Sequence, residues 1–133
     1  MRRYLLDTNI ISDFIRNPAG RVAMRVSAVG DEQICTSIIV AAEMRYGVAK
    51  GASPRIAQRV EQLLETIEIL PFGPPADIAY GSLRARLERI GKPISENDLL
   101  IAAHAITAHC TLVTANEREF GRIGELPQEN WLR

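Results

Sequence analysis

Three carboxylates in this chain occupy settings where a lone carboxylate is costly. Asp7 follows directly on the apolar run Tyr4-Leu5-Leu6, so it stands at the carboxyl end of a short buried strand, where open α/β sheets assemble their sites. Glu43 lies in Ile38-Ile39-Val40-Ala41-Ala42-Glu43, with apolar residues three and four positions before it on the same helical face. Asp98 opens the stretch Asp98-Leu99-Leu100-Ile101-Ala102-Ala103. Acids buried without a partner are expensive, and an all-oxygen group of them points to a shared divalent cation. Beyond the run Thr111-Leu112-Val113-Thr114, Asn116 and Glu119 sit at another strand end. Asn116 could position water or a ligand, and Glu119 could add charge.

Each of these residues also has a simpler role. Asp7 could close an Asx-turn, and Glu43 could pair with Arg45 or Arg3. Asp98 could serve the amino end of its helix, although Ser95 and Asn97 are already available as caps. Asn116 and Glu119 could belong to a solvated turn. The constellation is more specific than any member, because each acid comes from a separate strand–helix junction.

Other chemistries lack their residues. There is no HExxH or Cys/His ligand spacing, no glycine-rich phosphate loop and no GxSxG elbow. His104 and His109 lie on or after an apolar helix and read as structural. Cys35 and Cys110 lie in apolar strand-like segments and read as small buried hydrophobes.

The elements that must position these acids alternate between strand and helix. Strands are expected at Tyr4–Leu6, Gln33–Thr36, Glu68–Phe72 and Thr111–Thr114, with a last short one at Asn130–Leu132. Between them, helices are expected over Ile10–Arg16, Ala19–Val29, Ile38–Ala49 behind a Ser37 cap, from Ser53-Pro54 to about Ile67, from Pro74 to about Ile90, and from Ser95 or Asn97 to about His109. Glu117–Phe120 reads as a helical turn. The alternation predicts an α/β domain with a parallel sheet covered on both faces.

At 133 residues, 47% hydrophobic and 24% charged, the chain reads as a single domain over 1–133. No apolar run is long enough to span a bilayer, and the opening MRRYLLDTN is too short in apolar residues for a signal peptide. A cytoplasmic address is expected. The formal net charge of zero argues against a protein that coats nucleic acid by charge alone, but not against nucleic-acid chemistry.

The ordered blocks LLDTNIISDFIR, SIIVAAEMRYGV, KPISENDLLIAAHA and TLVTANEREFGRIGEL resemble the PIN-domain family, and within it the VapC-type toxins of bacterial toxin–antitoxin pairs. The resemblance implies a three-layer α/β/α sandwich with a central parallel sheet and an endoribonuclease dependent on Mg2+ or Mn2+. It assigns the first three acids to Asp7, Glu43 and Asp98, and puts Asn116 where many members carry a fourth, with Glu119 able to compensate. It also implies a cognate antitoxin, an RNA substrate such as a tRNA, and a homodimer within a larger complex. Where the family usually has Gly-Pro before the third acid, this chain has Ser95-Glu96.

On this reading Asp7 and Asp98 hold the metal, Glu43 does so directly or through water, and Thr8 and Asn116 orient water around it. Arg84, Arg86, Arg89 and Lys92 are candidate phosphate contacts. Two alternatives stand beside it: a DNA nuclease, and a non-catalytic module whose acidic crevice holds a basic peptide.

Overall fold

The computed structural model describes residues 3–133. Its strands are β1 (Arg3–Leu6), β2 (Ile34–Ser37), β3 (Glu68–Leu70), β4 (Cys110–Val113) and β5 (Gln128–Glu129). They form one sheet in the order β3-β2-β1-β4-β5, every neighbouring pair parallel. The helices are α1 (Thr8–Arg16), α2 (Arg21–Val29), α3 (Ile38–Gly51), α4 (Pro54–Thr66), α5 (Ala76–Arg89), α6 (Glu96–Thr107) and α7 (Glu117–Phe120).

The chain steps outward from β1 to β2 to β3, then returns to the far side of β1 for β4 and β5. Right-handed crossovers therefore put α1–α4 on one face and α5–α6 on the other. The packing agrees: α1 meets α2, α3 and α4, whereas α5 meets α6. The result is the expected three-layer sandwich. With both faces covered, adjacent residues of one strand are buried together, as Leu5 and Leu6 are at 0% exposure.

Several boundaries differ from the sequence reading. The first helix starts at Thr8 rather than Ile10, because Asp7 is its N-cap and its carboxylate accepts the Thr8 backbone N–H at 2.8 Å. The second starts at Arg21 rather than Ala19, with extended Gly20 as its cap. The last strand lies at Gln128–Glu129, just before the expected Asn130–Leu132. There the Asn130 side chain accepts the Leu132 N–H and turns the chain. Trp131 instead plugs the core, its ring centroid 5.1 Å from that of Tyr4.

Cys35 and Cys110 are buried, with sulfurs 3.9 Å apart above β1. Their strands are two sheet spacings apart, roughly 9.5 Å, too far for a disulfide without strand movement. The contact with Cys110 and burial push the Cys35 thiol well up, so it packs rather than reacts. Among the described residues no helix is long and apolar enough to cross a membrane.

Candidate active site

The sheet order reverses between β1 and β4, and ligands of open parallel sheets bind outside the strand ends at such a point. Asp7 ends β1 there, its backbone N–H donating to Val113 O at 2.9 Å, and Thr114 ends β4 beside it. Thr114 Oγ1 donates to Asp7 Oδ2 at 2.7 Å while Oδ1 holds the Thr8 N–H. Asp7 is only 5% exposed. Burial raises its pKa against the lowering pull of the Thr114 and Thr8 hydrogen bonds, and the charge of Glu43 raises it further.

Glu43 projects from the second turn of α3. Its Oε1 accepts Thr8 Oγ1 at 2.7 Å and its Oε2 accepts Asn97 Nδ2 at 3.1 Å. Neither arginine considered as its partner is in reach: Arg45 pairs with Glu61 at 2.7 Å and Arg3 with Glu68 at 2.8 Å. Glu43 therefore belongs to the crevice.

Asp98 stands in the first turn of α6, whose N-cap is Ser95: the Ser95 hydroxyl accepts the Asp98 N–H at 3.3 Å. The capping role suggested for Asp98 is thus filled by another residue. Burial pushes the Asp98 carboxyl up to about 7, helped by a hydrogen bond with Glu119 and by the charges of Asp7 and Glu119. Glu119 moves the other way, held low chiefly by that same hydrogen bond. Asp98 is the more enclosed of the two, so burial weighs more on its charge than on that of Glu119. Asn116 links them, its Nδ2 donating to Asp98 Oδ2 at 3.0 Å and to Glu119 Oε2 at 2.9 Å. The Asn116 backbone N–H donates to Thr114 Oγ1 at 3.0 Å, which ties this pair back to Asp7.

The structure therefore brings together Asp7, Thr8, Glu43, Asp98, Asn116 and Glu119. Sequence reasoning missed Thr114, whose place at the end of the strand beside β1 was the available signal. It treated Asn97 only as a cap. Among the described residues, no three aspartate, glutamate, histidine or cysteine side chains already stand together as a finished ligand set. The donor chemistry nevertheless fits a hard cation, because Asp7, Glu43, Asp98 and Glu119 offer only oxygen. Mg2+ in particular keeps several waters and takes only one or two carboxylates directly.

The surrounding cations are largely committed. Arg84 pairs with Glu88 at 3.1 Å and with Glu96 at 3.4 Å, offsetting the charge that Glu96 brings near the site. Arg86 pairs with Glu125 at 2.8 Å. Of the expected phosphate contacts, exposed Arg89 and Lys92 make no ion pair among the described residues. His104 is structural, as expected. Its Nδ1 meets Ser37 Oγ at 2.7 Å and its ring stands edge-on to Phe72, while burial lowers its pKa. Beside Glu43, an open groove of about 410 Å³ runs between α1 and α3, floored by Ile15, Met44 and Val60 and edged by Arg16 and Lys50.

Residues 4–126 match the PIN domain family. The chain is 41% identical over 130 residues to Ribonuclease VapC2 of Rickettsia felis, covering 96% of this chain and 97% of that protein. It is 34% identical over 132 residues to the tRNA(fMet)-specific endonuclease VapC of Shigella flexneri, covering 98% and 99%. Among solved structures, it is similar to the DNA-bound VapBC of Salmonella typhimurium, with a TM-score of 0.90, 34% identity and coverage of 98% and 99%. It is also similar to VapBC2 of Rickettsia felis bound to a promoter DNA fragment, with a TM-score of 0.88, 38% identity and coverage of 96% and 98%.

Proposed function

This chain belongs to the PIN domain family, and we propose that its acidic crevice is a divalent-metal site for cutting RNA. The protein is the ribonuclease toxin of a toxin–antitoxin pair, restrained by a bound antitoxin. The observation that carries the catalytic reading is the hydrogen-bonded network that links Asp7 to Glu43 through Thr8, and to Asp98 and Glu119 through Thr114 and Asn116, at the point where the sheet reverses direction.

Asp7 and Asp98 would hold Mg2+ or Mn2+, with Glu43 acting directly or through water. When bound, the ion supplies Lewis acidity and positive charge where the phosphoryl group gains negative charge. The chain's own residues do the positioning. Thr8 and Thr114 fix the two Asp7 oxygens, and Asn116 holds Asp98 and Glu119 together. Both Glu43 oxygens accept one hydrogen bond and keep a further lone pair for water. Glu119 supplies the negative charge absent from Asn116.

The partner reading follows the same surface. A basic antitoxin side chain entering the crevice would take the cation's place, with apolar residues on the neighbouring groove. Exposed Tyr46 and Ile78 offer apolar surface for a homodimer within the larger complex, which we place in the cytoplasm with its RNA. A tRNA is the favoured substrate, as in the name of the Shigella relative.

Sequencing RNA ends after brief expression of wild type and of Asp7→Asn tests the reading. New ends at a defined site are expected with wild type alone. Identical ends from both proteins would overturn it.

A further inference from the structure

We propose that Asn97 is a positioning residue for Glu43, an inference that rests on the nuclease reading above. Asn97 and Asp98 are neighbours in the first turn of α6, yet their side chains serve opposite sides of the crevice. Asp98 faces Asn116 and Glu119, whereas Asn97 Nδ2 reaches 54 residues back along the chain to Glu43 Oε2 at 3.1 Å. The helix does not need the Asn97 side chain, since Ser95 already caps it.

Thr8 Oγ1 takes the other Glu43 oxygen at 2.7 Å, so the carboxylate is gripped at both ends by groups from two different helices. A carboxylate free to rotate about its last torsion would sample many orientations. With two fixed donors its plane is set, and its remaining lone pairs have fixed directions. Asn97 is exposed, so its hydrogen bond adds little to stability in water. The value of the contact lies in orientation.

The test uses the full-length protein in Mn2+ with RNA substrate. Asn97→Ala should lower kcat about tenfold, in the range for residues that orient a metal's surroundings. KM should stay within about twofold, the pattern of an interaction that matters at the transition state. Asn97→Gln, which keeps the amide donor, should recover part of the loss. In a Glu43→Ala background, Asn97→Ala should cost nothing further. A second readout needs no activity: in nuclear magnetic resonance spectra the Asn97 side-chain amide should shift in Glu43→Ala and hold its position in Glu119→Ala. Wild-type kcat in Asn97→Ala, an undiminished further loss in the Glu43→Ala background, or an unmoved Asn97 amide would each overturn the proposal. Failure of wild type to cut RNA would sink the nuclease reading instead, and the amide resonance would still decide whether Asn97 holds Glu43.

Discussion

Thr114 Oγ1 donates to Asp7 Oδ2 at 2.7 Å, joining the ends of two adjacent parallel strands that lie 107 residues apart in the chain. Both residues are almost fully buried, so the hydrogen bond stabilises a charge that burial disfavours. Removing the donor leaves that charge with one partner fewer. Thr114→Val should destabilise the protein by about 2 kcal/mol, roughly 6 °C in Tm, and weaken Mn2+ binding about tenfold. Calorimetric melting and titration check both. A Tm and an affinity equal to wild type would refute the role given to Thr114.

The raised Asp98 carboxyl sets a pH dependence with a definite sign. In the folded metal-free protein Asp98 is raised from 3.8 to about 7. Across that window the native state holds a proton that the unfolded chain has released, so stability falls as pH rises. Asp7, also raised, acts in the same direction. His104 acts oppositely: its lowered pKa contributes stability above about pH 6.5 that is lost on acidification. Above that point the carboxyls dominate. The Tm of metal-free wild type should therefore decline from pH 6.5 to 8, and Asp98→Asn should decline less. Coincident curves for the two proteins would contradict this.

Metal binding should displace that same proton. The stabilisation conferred by a fixed Mn2+ concentration should therefore grow between pH 6 and 8 in wild type and disappear in Asp98→Asn. Thermal shifts at several pH values with and without Mn2+ measure it. An Mn2+ shift independent of pH would mean that Asp98 does not take part.

Asn116→Asp replaces a donor that bridges two carboxylates with a third carboxylate. The metal-free variant should melt lower than wild type at pH 8, and Mn2+ should raise its Tm by more than it raises that of wild type. An unchanged metal-free Tm would show that Asn116 does not hold Asp98 and Glu119 in solution.

Much of this site could be read from the sequence because its acids mark transitions. Asp7 is legible because a buried strand ends on it, and Asp98 because it interrupts the approach to an apolar helix. Asn116 and Glu119 were legible as a strand-end pair. Their link to Asp98 was not, since it depends on how α6 lies across the end of β4. Thr114 looked like one more β-branched strand residue, and only the pairing of β4 with β1 brings its hydroxyl to Asp7. Arg45 and Arg3 looked like partners for Glu43, but α4 and β3 supply Glu61 and Glu68 to them instead. The late strand was misplaced by a few residues because Trp131 has strand-like character yet serves as a core plug.

If Asp7 and Asp98 hold a divalent ion used to cut RNA, cleavage must depend on both the ion and these carboxylates. The most direct measurement is the rate at which purified wild type and Asp98→Asn cleave a structured RNA and a single-stranded DNA as Mn2+ is titrated. Wild type should cut the RNA in proportion to bound Mn2+ and leave the DNA intact, and Asp98→Asn should be about a hundredfold slower or worse. Cleavage by Asp98→Asn at the wild-type rate, or by wild type without any divalent ion, would contradict the account.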